Sequence, residues 1–270
     1  MAPLLARLGV GRSGFGFGGS LSKKRIPVQV QVTVALAGAG GQNGAARAGA
    51  AGGVTNATIT VPDAHVFKLY VASQTSPSPG NYVQGGAGGA RGGGGSALLL
   101  TTSSEYSSPD YLLIGVGGGG GGVIENDVTY AAGVGAGGDN NGTSPPAPFR
   151  GSGGIGNSAA SDGSNAYGPG GPLGGGGGGG FAGGGGGGGA YNSNIDDPSY
   201  WVLAGGSGGG GNIVTGLVPG VSGEPVNVSL TSASTAGNPN APGYCTFTTP
   251  TKVTPYPASG QYTIPVASLV

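Results

Sequence analysis

The sequence predicts an all-β protein, an antiparallel β-sandwich or β-roll with an inserted bundle of polyglycine II helices and no α-helix of note. Three observations predict this fold. Short apolar packets with strand-like alternation recur along the chain. No apolar pattern with a helical period persists for three turns. Glycine supplies 68 of the 270 residues, against about 7% in ordinary soluble domains, and glycine disfavours helices.

The strand packets are short and are separated by glycine, serine and proline. The clearest begins at Ile26 and alternates apolar and polar residues through Val34, as expected of a strand with one buried face. The predicted strands cover residues 26–34, 57–61, 66–72, 97–102, 111–116, 200–203, 226–230, 244–248 and 261–266.

The centre of the chain contains two runs of seven glycines that flank Phe181 and Ala182 and repeat after nine residues. Nine residues are three turns of the three-residue extended helix, so one face of such a helix is all glycine. This helix has no internal hydrogen bonds, so its amides and carbonyls need neighbouring chains when they are buried. A packed bundle meets that need, whereas the alternative is a set of flexible linkers. The predicted scaffold glycines are Gly174, Gly177, Gly180, Gly183, Gly186 and Gly189.

The break at Phe181 is predicted to be a reversal between two antiparallel runs. One straight helix over both runs would extend ~59 Å at ~3.1 Å per residue, against a radius of gyration of ~18 Å for a globule of this length. We therefore expect Phe181 to pack at the end of the bundle, with Gly174 and Gly189 at the same end.

Charge divides the chain into two different halves. Up to Arg91 there are eight basic residues and one acid, and beyond it nine acids and two bases, so the halves carry +7 and −7. Residues 1–25 contain five bases, no acid and no burial pattern, which predicts an extended arm that docks on a partner subunit. The docking residues are Arg7, Arg12, Lys23, Lys24 and Arg25.

The pattern of reactive residues favours neither catalysis nor a cofactor. Cys245 is the single cysteine, so the chain has no internal disulfide, and the single histidine is His65. The stretch 32–44 imitates a dinucleotide-binding turn, but its glycine spacing is off by one. We expect no enzyme activity, no cofactor, no metal and no nucleic-acid partner. The amino-terminal residues lack the apolar core of a signal peptide, and no stretch is long enough for a membrane span, so we expect assembly in the cytoplasm.

The glycine region, 115–211, and the later segment 238–244 (NPNAPGY) resemble the glycine-rich tail-fibre proteins and adhesins of bacteriophages. That resemblance implies polyglycine II helices in layers, with connecting loops that bind the host receptor. The strands on either side and the basic arm are departures from that family. The glycine-rich region of the anaplastic lymphoma kinase receptor family is also similar, as glycine helices set into a β-sandwich, but that family is secreted and disulfide-bearing.

These observations predict a virion structural protein that displays loops for host attachment. The expected organisation is an arm (1–25), a strand scaffold (26–114), a polyglycine bundle with loops (115–211) and returning strands (212–270). Other virion proteins are the expected partners, with a homotrimer and a host receptor or glycan as further expectations. The alternatives are a capsid decoration or tail-shaft protein and a secreted receptor-type domain. The candidate receptor-binding residues are Phe149, Tyr167, Tyr191 and Asp196.

Overall fold

The protein is all-β, as predicted. The computed structural model describes residues 26–45, 48–75, 77–101, 111–122, 162–163, 176–181, 191–192, 201–202, 212–218, 226–234 and 237–270. Within these ranges the chain forms two large antiparallel sheets and no α-helix; the one helical element is a short 3-10 helix, Val266–Leu269. None of the described helices is long and apolar enough to cross a bilayer.

The first sheet has six strands, in the order β12-β11-β1-β2-β10-β9. Their bounds are β1 Gln29–Ala37, β2 Val54–Pro62, β9 Leu217–Val218, β10 Val226–Ser234, β11 Tyr244–Thr248 and β12 Val253–Tyr256. β1 and β2 form its long central hairpin, in register from Gln29 opposite Pro62 to Ala37 opposite Val54.

The second sheet has five strands, in the order β13-β3-β4-β5-β8. Their bounds are β3 Val66–Val71, β4 Ser96–Thr101, β5 Tyr111–Val116, β8 Ile213–Val214 and β13 Gly260–Pro265. A separate two-residue ladder pairs β6, Tyr191–Asn192, with β7, Trp201–Val202.

One apolar core lies between the two sheets. In β1 the even-numbered residues from Val30 to Leu36 are buried while Gln29 and Gln31 are exposed, so the period-two pattern places one face inward. Phe67 of the second sheet stacks on Phe247 of the first, with ring centroids 5.8 Å apart and planes 10° apart. Burial of these apolar side chains is the main force that holds the sheets together.

The strand β4 is buried on both faces. Leu98 and Leu100 belong to the core between the sheets, while Ala97 and Leu99 belong to a second cluster that includes Phe181. The outer face of the second sheet is therefore covered by part of the glycine-rich region. This explains why β4 reads as a continuous apolar run and not as an alternating strand.

Candidate functional site: a glycine bundle at one end of the sandwich

The central strands of both sheets continue directly into glycine-rich segments at one end of the sandwich. Residues 38–42 follow β1 and residues 49–53 precede β2, while residues 90–95 precede β4 and residues 117–122 follow β5. Two further segments join them: residues 83–86 are hydrogen-bonded to 90–95, and residues 176–179 are hydrogen-bonded to 83–86, 90–95 and 117–122. We refer to the six segments together as the glycine bundle.

The segment 117–122 is buried along its whole length and is hydrogen-bonded to four neighbouring segments. Amides three residues apart donate to the same neighbour. Gly118 and Gly121 donate to the segment 176–179, at the Gly179 and Gly176 carbonyls (both 2.8 Å). Gly119 and Gly122 donate to the segment 38–42, at the Ala39 and Gln42 carbonyls (both 2.9 Å). Its carbonyls follow the same spacing, since Gly117 and Gly120 accept from Gly53 and Ala50. Each side of the segment thus faces one neighbour every third residue.

The segment 38–42 repeats this arrangement with different neighbours. The Gly38 and Gly41 amides donate to the segment 49–53, at the Gly53 (3.0 Å) and Ala50 (2.8 Å) carbonyls. The Ala39 and Gln42 amides donate to the segment 90–95, at the Gly94 (3.0 Å) and Arg91 (2.9 Å) carbonyls. The Gly40 amide donates to the Ala241 carbonyl (2.9 Å). The order of the partners shows that 38–42 runs antiparallel to 49–53 and to 90–95 and parallel to 117–122. Backbone groups that no ordinary sheet ladder satisfies are therefore satisfied between segments, as burial requires.

Glycine is required in the bundle because the backbones approach too closely for a side chain. A Cβ atom at Gly41 would lie 1.9 Å from the Gly120 carbonyl oxygen, and one at Gly118 would lie 2.1 Å from the Gly93 carbonyl oxygen. Neither glycine has a φ angle in the positive region. The requirement is therefore steric contact between chains and not an unusual backbone conformation.

Buried polar side chains join the sandwich to the bundle. The Ser96 hydroxyl donates to the Ala37 carbonyl (2.6 Å) and accepts from the Ala72 amide (2.9 Å), so it links the two sheets where β1 ends. The Asn212 side chain accepts from the Gly117 amide (2.6 Å) and donates to the Thr55 hydroxyl (3.2 Å). These contacts satisfy backbone groups where ladder pairing gives way to bundle pairing.

Phe181 anchors the glycine-rich region to the outer face of the second sheet. Its ring is fully buried and stacks on Tyr82, with centroids 5.5 Å apart and planes 15° apart. The ring lies over Gly115, where an added Cβ would be 2.4 Å from the ring carbons. Gly115 therefore provides the space that Phe181 fills.

The predicted site residues fall mostly outside the described part of the chain. This holds for Phe149, Tyr167 and Asp196, for the arm residues Arg7, Arg12, Lys23, Lys24 and Arg25, and for Gly174, Gly183, Gly186 and Gly189. Tyr191 lies in the β6–β7 ladder opposite Val202. Of the predicted scaffold glycines, Gly177 and Gly180 are buried, and the Gly177 carbonyl accepts from the Gly86 amide (2.7 Å). The predicted reversal at Phe181 depends on Gly174 and Gly189, so it stays a prediction.

Sequence reasoning did not predict that residues 38–42 and 49–53 join the bundle. These segments mix alanine with glycine and contain no glycine run, and the first of them lies in the stretch 32–44 that imitates a dinucleotide-binding turn. Their position next to the strands could have identified them, because each is a stretch of small residues that directly adjoins a long strand, 38–42 after β1 and 49–53 before β2.

Cys245 and His65 are buried titratable groups of the sandwich. Burial raises the pKa of the Cys245 thiol, which lies in the core between the sheets, so the thiol stays protonated. Desolvation lowers the pKa of His65 below its usual value. Among the described residues no three His, Cys, Asp or Glu side chains come together as a metal site would require.

No protein-family model matches the chain, and no curated protein matches it significantly.

Proposed function

We propose that the glycine bundle is an assembly of polyglycine II helices. The supporting observation is the hydrogen bonding of residues 38–42 and 117–122, in which every third amide reaches the same neighbour. An extended helix with three residues per turn presents its backbone groups in three directions with this spacing. The antiparallel and parallel neighbours around one buried segment are what such an assembly requires.

We further propose that the protein is a structural component of a bacteriophage virion, a glycine-rich fibre or adhesin component. The observation that carries this proposal is the glycine bundle, in which buried backbones pack directly against one another without side chains between them. Such a mesh of backbone hydrogen bonds is a rigid support and offers little reactive chemistry. The loops that connect the glycine-rich segments would then be the receptor-binding part, with Phe149, Tyr167, Tyr191 and Asp196 as candidate contacts.

The proposed role is mechanical and involves no catalysis, cofactor, nucleic acid or membrane insertion. The partners in this proposal are other virion proteins and further copies of the chain, a homotrimer being the expected closed assembly. A decoration or tail-shaft role without receptor binding uses the same rigid module. The copy number per particle separates these two roles, since a tip adhesin occurs in few copies and a decoration protein in many.

A second candidate is a secreted receptor-type glycine-rich domain. One observation favours it, namely that four of the six bundle segments are direct continuations of sandwich strands. That architecture, glycine helices set into a β-sandwich, is the one by which the sequence is similar to the anaplastic lymphoma kinase receptor family. The free, buried Cys245 contrasts with the disulfides of that family.

Quantitative mass spectrometry of purified particles tests the virion proposal. We expect the protein in washed particles of the virus that encodes it, at a fixed ratio to the major capsid protein. Replacing Arg7, Arg12, Lys23, Lys24 and Arg25 by Gln should reduce its incorporation at least severalfold, because the arm is the proposed anchor. A Lys252→Gln variant, at an exposed position in the sandwich, is the matched control. Absence of the protein from washed particles would contradict the proposal.

A further inference from the structure

A groove lies at the start of β1, where the described chain begins. Its volume is ≈ 460 Å³, and residues 28–31 line it together with the turn residues Pro250 and Thr251, with Val270 and with Asp63. Several apolar side chains at this end are exposed: Ile26 is 86% exposed, Val28 58% and Val270 61%. Nothing in the proposed virion role accounts for these apolar side chains.

The backbone of β1 is open on the side of this groove. β11 pairs with β1 only from Thr33 onward, so among the described strands none pairs with residues 29–32 on that side. Val28 exchanges hydrogen bonds with Asp63 on the opposite, β2 side: its amide donates to the Asp63 carboxylate (3.1 Å) and its carbonyl accepts from the Asp63 amide (2.8 Å). Because backbone groups alternate sides along a strand, Gln29 and Gln31 direct theirs into the groove.

We propose that the apolar part of the chain's own arm, residues 3–10, adds a strand to β1 in this groove. In an extended conformation these residues place Leu4, Ala6, Leu8 and Val10 on one side and Leu5 and Arg7 on the other. A strand of this kind supplies the missing partners for Gln29 and Gln31 and covers the exposed apolar side chains.

The connection favours the arm of the same copy over that of a neighbour. Residues 11–25 form a linker of glycine, serine and basic residues that enters the described structure at Ile26, two residues before the groove. A glycine- and serine-rich chain of fifteen residues has a root-mean-square span of ~20 Å. The tethered arm is then present at an effective concentration in the millimolar range, roughly, which exceeds that of other copies in dilute solution. Arg7 stays on the outer side of the strand and remains accessible to a partner.

Amide hydrogen exchange of the full chain tests this proposal, with the Gln29 and Gln31 amides as the readout. In the wild-type protein we expect both amides to exchange about tenfold more slowly than in a Leu4→Ser/Leu8→Ser variant, since that variant weakens the hydrogen bonds of the added strand. The substitutions lie outside the sandwich, so its folding is preserved and the Val32 amide is an internal reference. Leu5→Ser, on the other side of the strand, is the matched control and should leave the protection unchanged.

Two results would overturn the proposal. The first is equal exchange of both glutamine amides in the wild type and the double variant. The second is protection that appears only as the protein concentration is raised, because that assigns the groove to the arm of a second copy. The measurement uses the isolated protein, so its outcome is independent of whether the chain belongs to a virion.

Discussion

Gly118→Ala is expected to lower the free energy of unfolding by about 2–3 kcal/mol, the cost of overpacking a close contact that cannot relax. The added methyl group would lie 2.1 Å from the Gly93 carbonyl oxygen, which belongs to the backbone of a neighbouring segment. To make room, two hydrogen-bonded segments must separate. For a domain of this size the melting temperature should fall by roughly 5–10 °C.

Gly216→Ala is the matched control for that experiment. Gly216 is exposed, and an added Cβ would have no heavy atom within 4 Å. Alanine there should leave stability unchanged or raise it by up to about 1 kcal/mol, since it restricts the unfolded chain. Equal melting temperatures of the two variants would show that the glycine segments are not packed against one another.

Phe181→Ala is expected to destabilise the protein by about 3–5 kcal/mol, the usual cost of removing a fully buried aromatic ring. The loss leaves a cavity against Tyr82 and Leu99 on the outer face of the second sheet. Leu230→Ala, at a side chain that is 45% exposed on β10, should cost much less. Thermal or denaturant unfolding measures both.

A double-mutant cycle with Gly115 isolates the contact between ring and backbone. Alone, Gly115→Ala places a methyl group 2.4 Å from the Phe181 ring and should be strongly destabilising. In the Phe181→Ala background the ring is gone, so the same substitution should cost at least about 1 kcal/mol less. Strict additivity of the two substitutions would contradict the close packing of ring on glycine.

The sandwich could be predicted from sequence where its strands have one buried face. The alternation from Ile26 to Val34 identifies β1, which the structure places at Gln29–Ala37, because side chains on a strand point to opposite faces in turn. β12 escaped prediction because it is short and contains Pro255, which an edge strand tolerates where a central strand does not. β8 and β9 have two residues each and carry no period that sequence could reveal.

Composition predicted a packed bundle of glycine-rich segments, but it identified only some of the segments that form the bundle. The glycine run 117–122 does identify a buried segment that is hydrogen-bonded to several neighbours. Residues 49–53 escaped prediction because Ala50 and Ala51 interrupt the glycines there, so the segment contains no glycine run. The role of Phe181 was predicted only as an end contact, since sequence does not show which sheet face lies beneath it.

Residue-resolved amide hydrogen exchange of the segment 117–122 tests the central claim most directly. If these backbones are held by neighbours at every third residue, the amides of Gly118, Gly119, Gly121 and Gly122 should be protected about as strongly as those of Val32 and Val34 in β1. Exchange of all four within about tenfold of the rate of an unstructured chain would show that the glycine segments are linkers and would contradict the account.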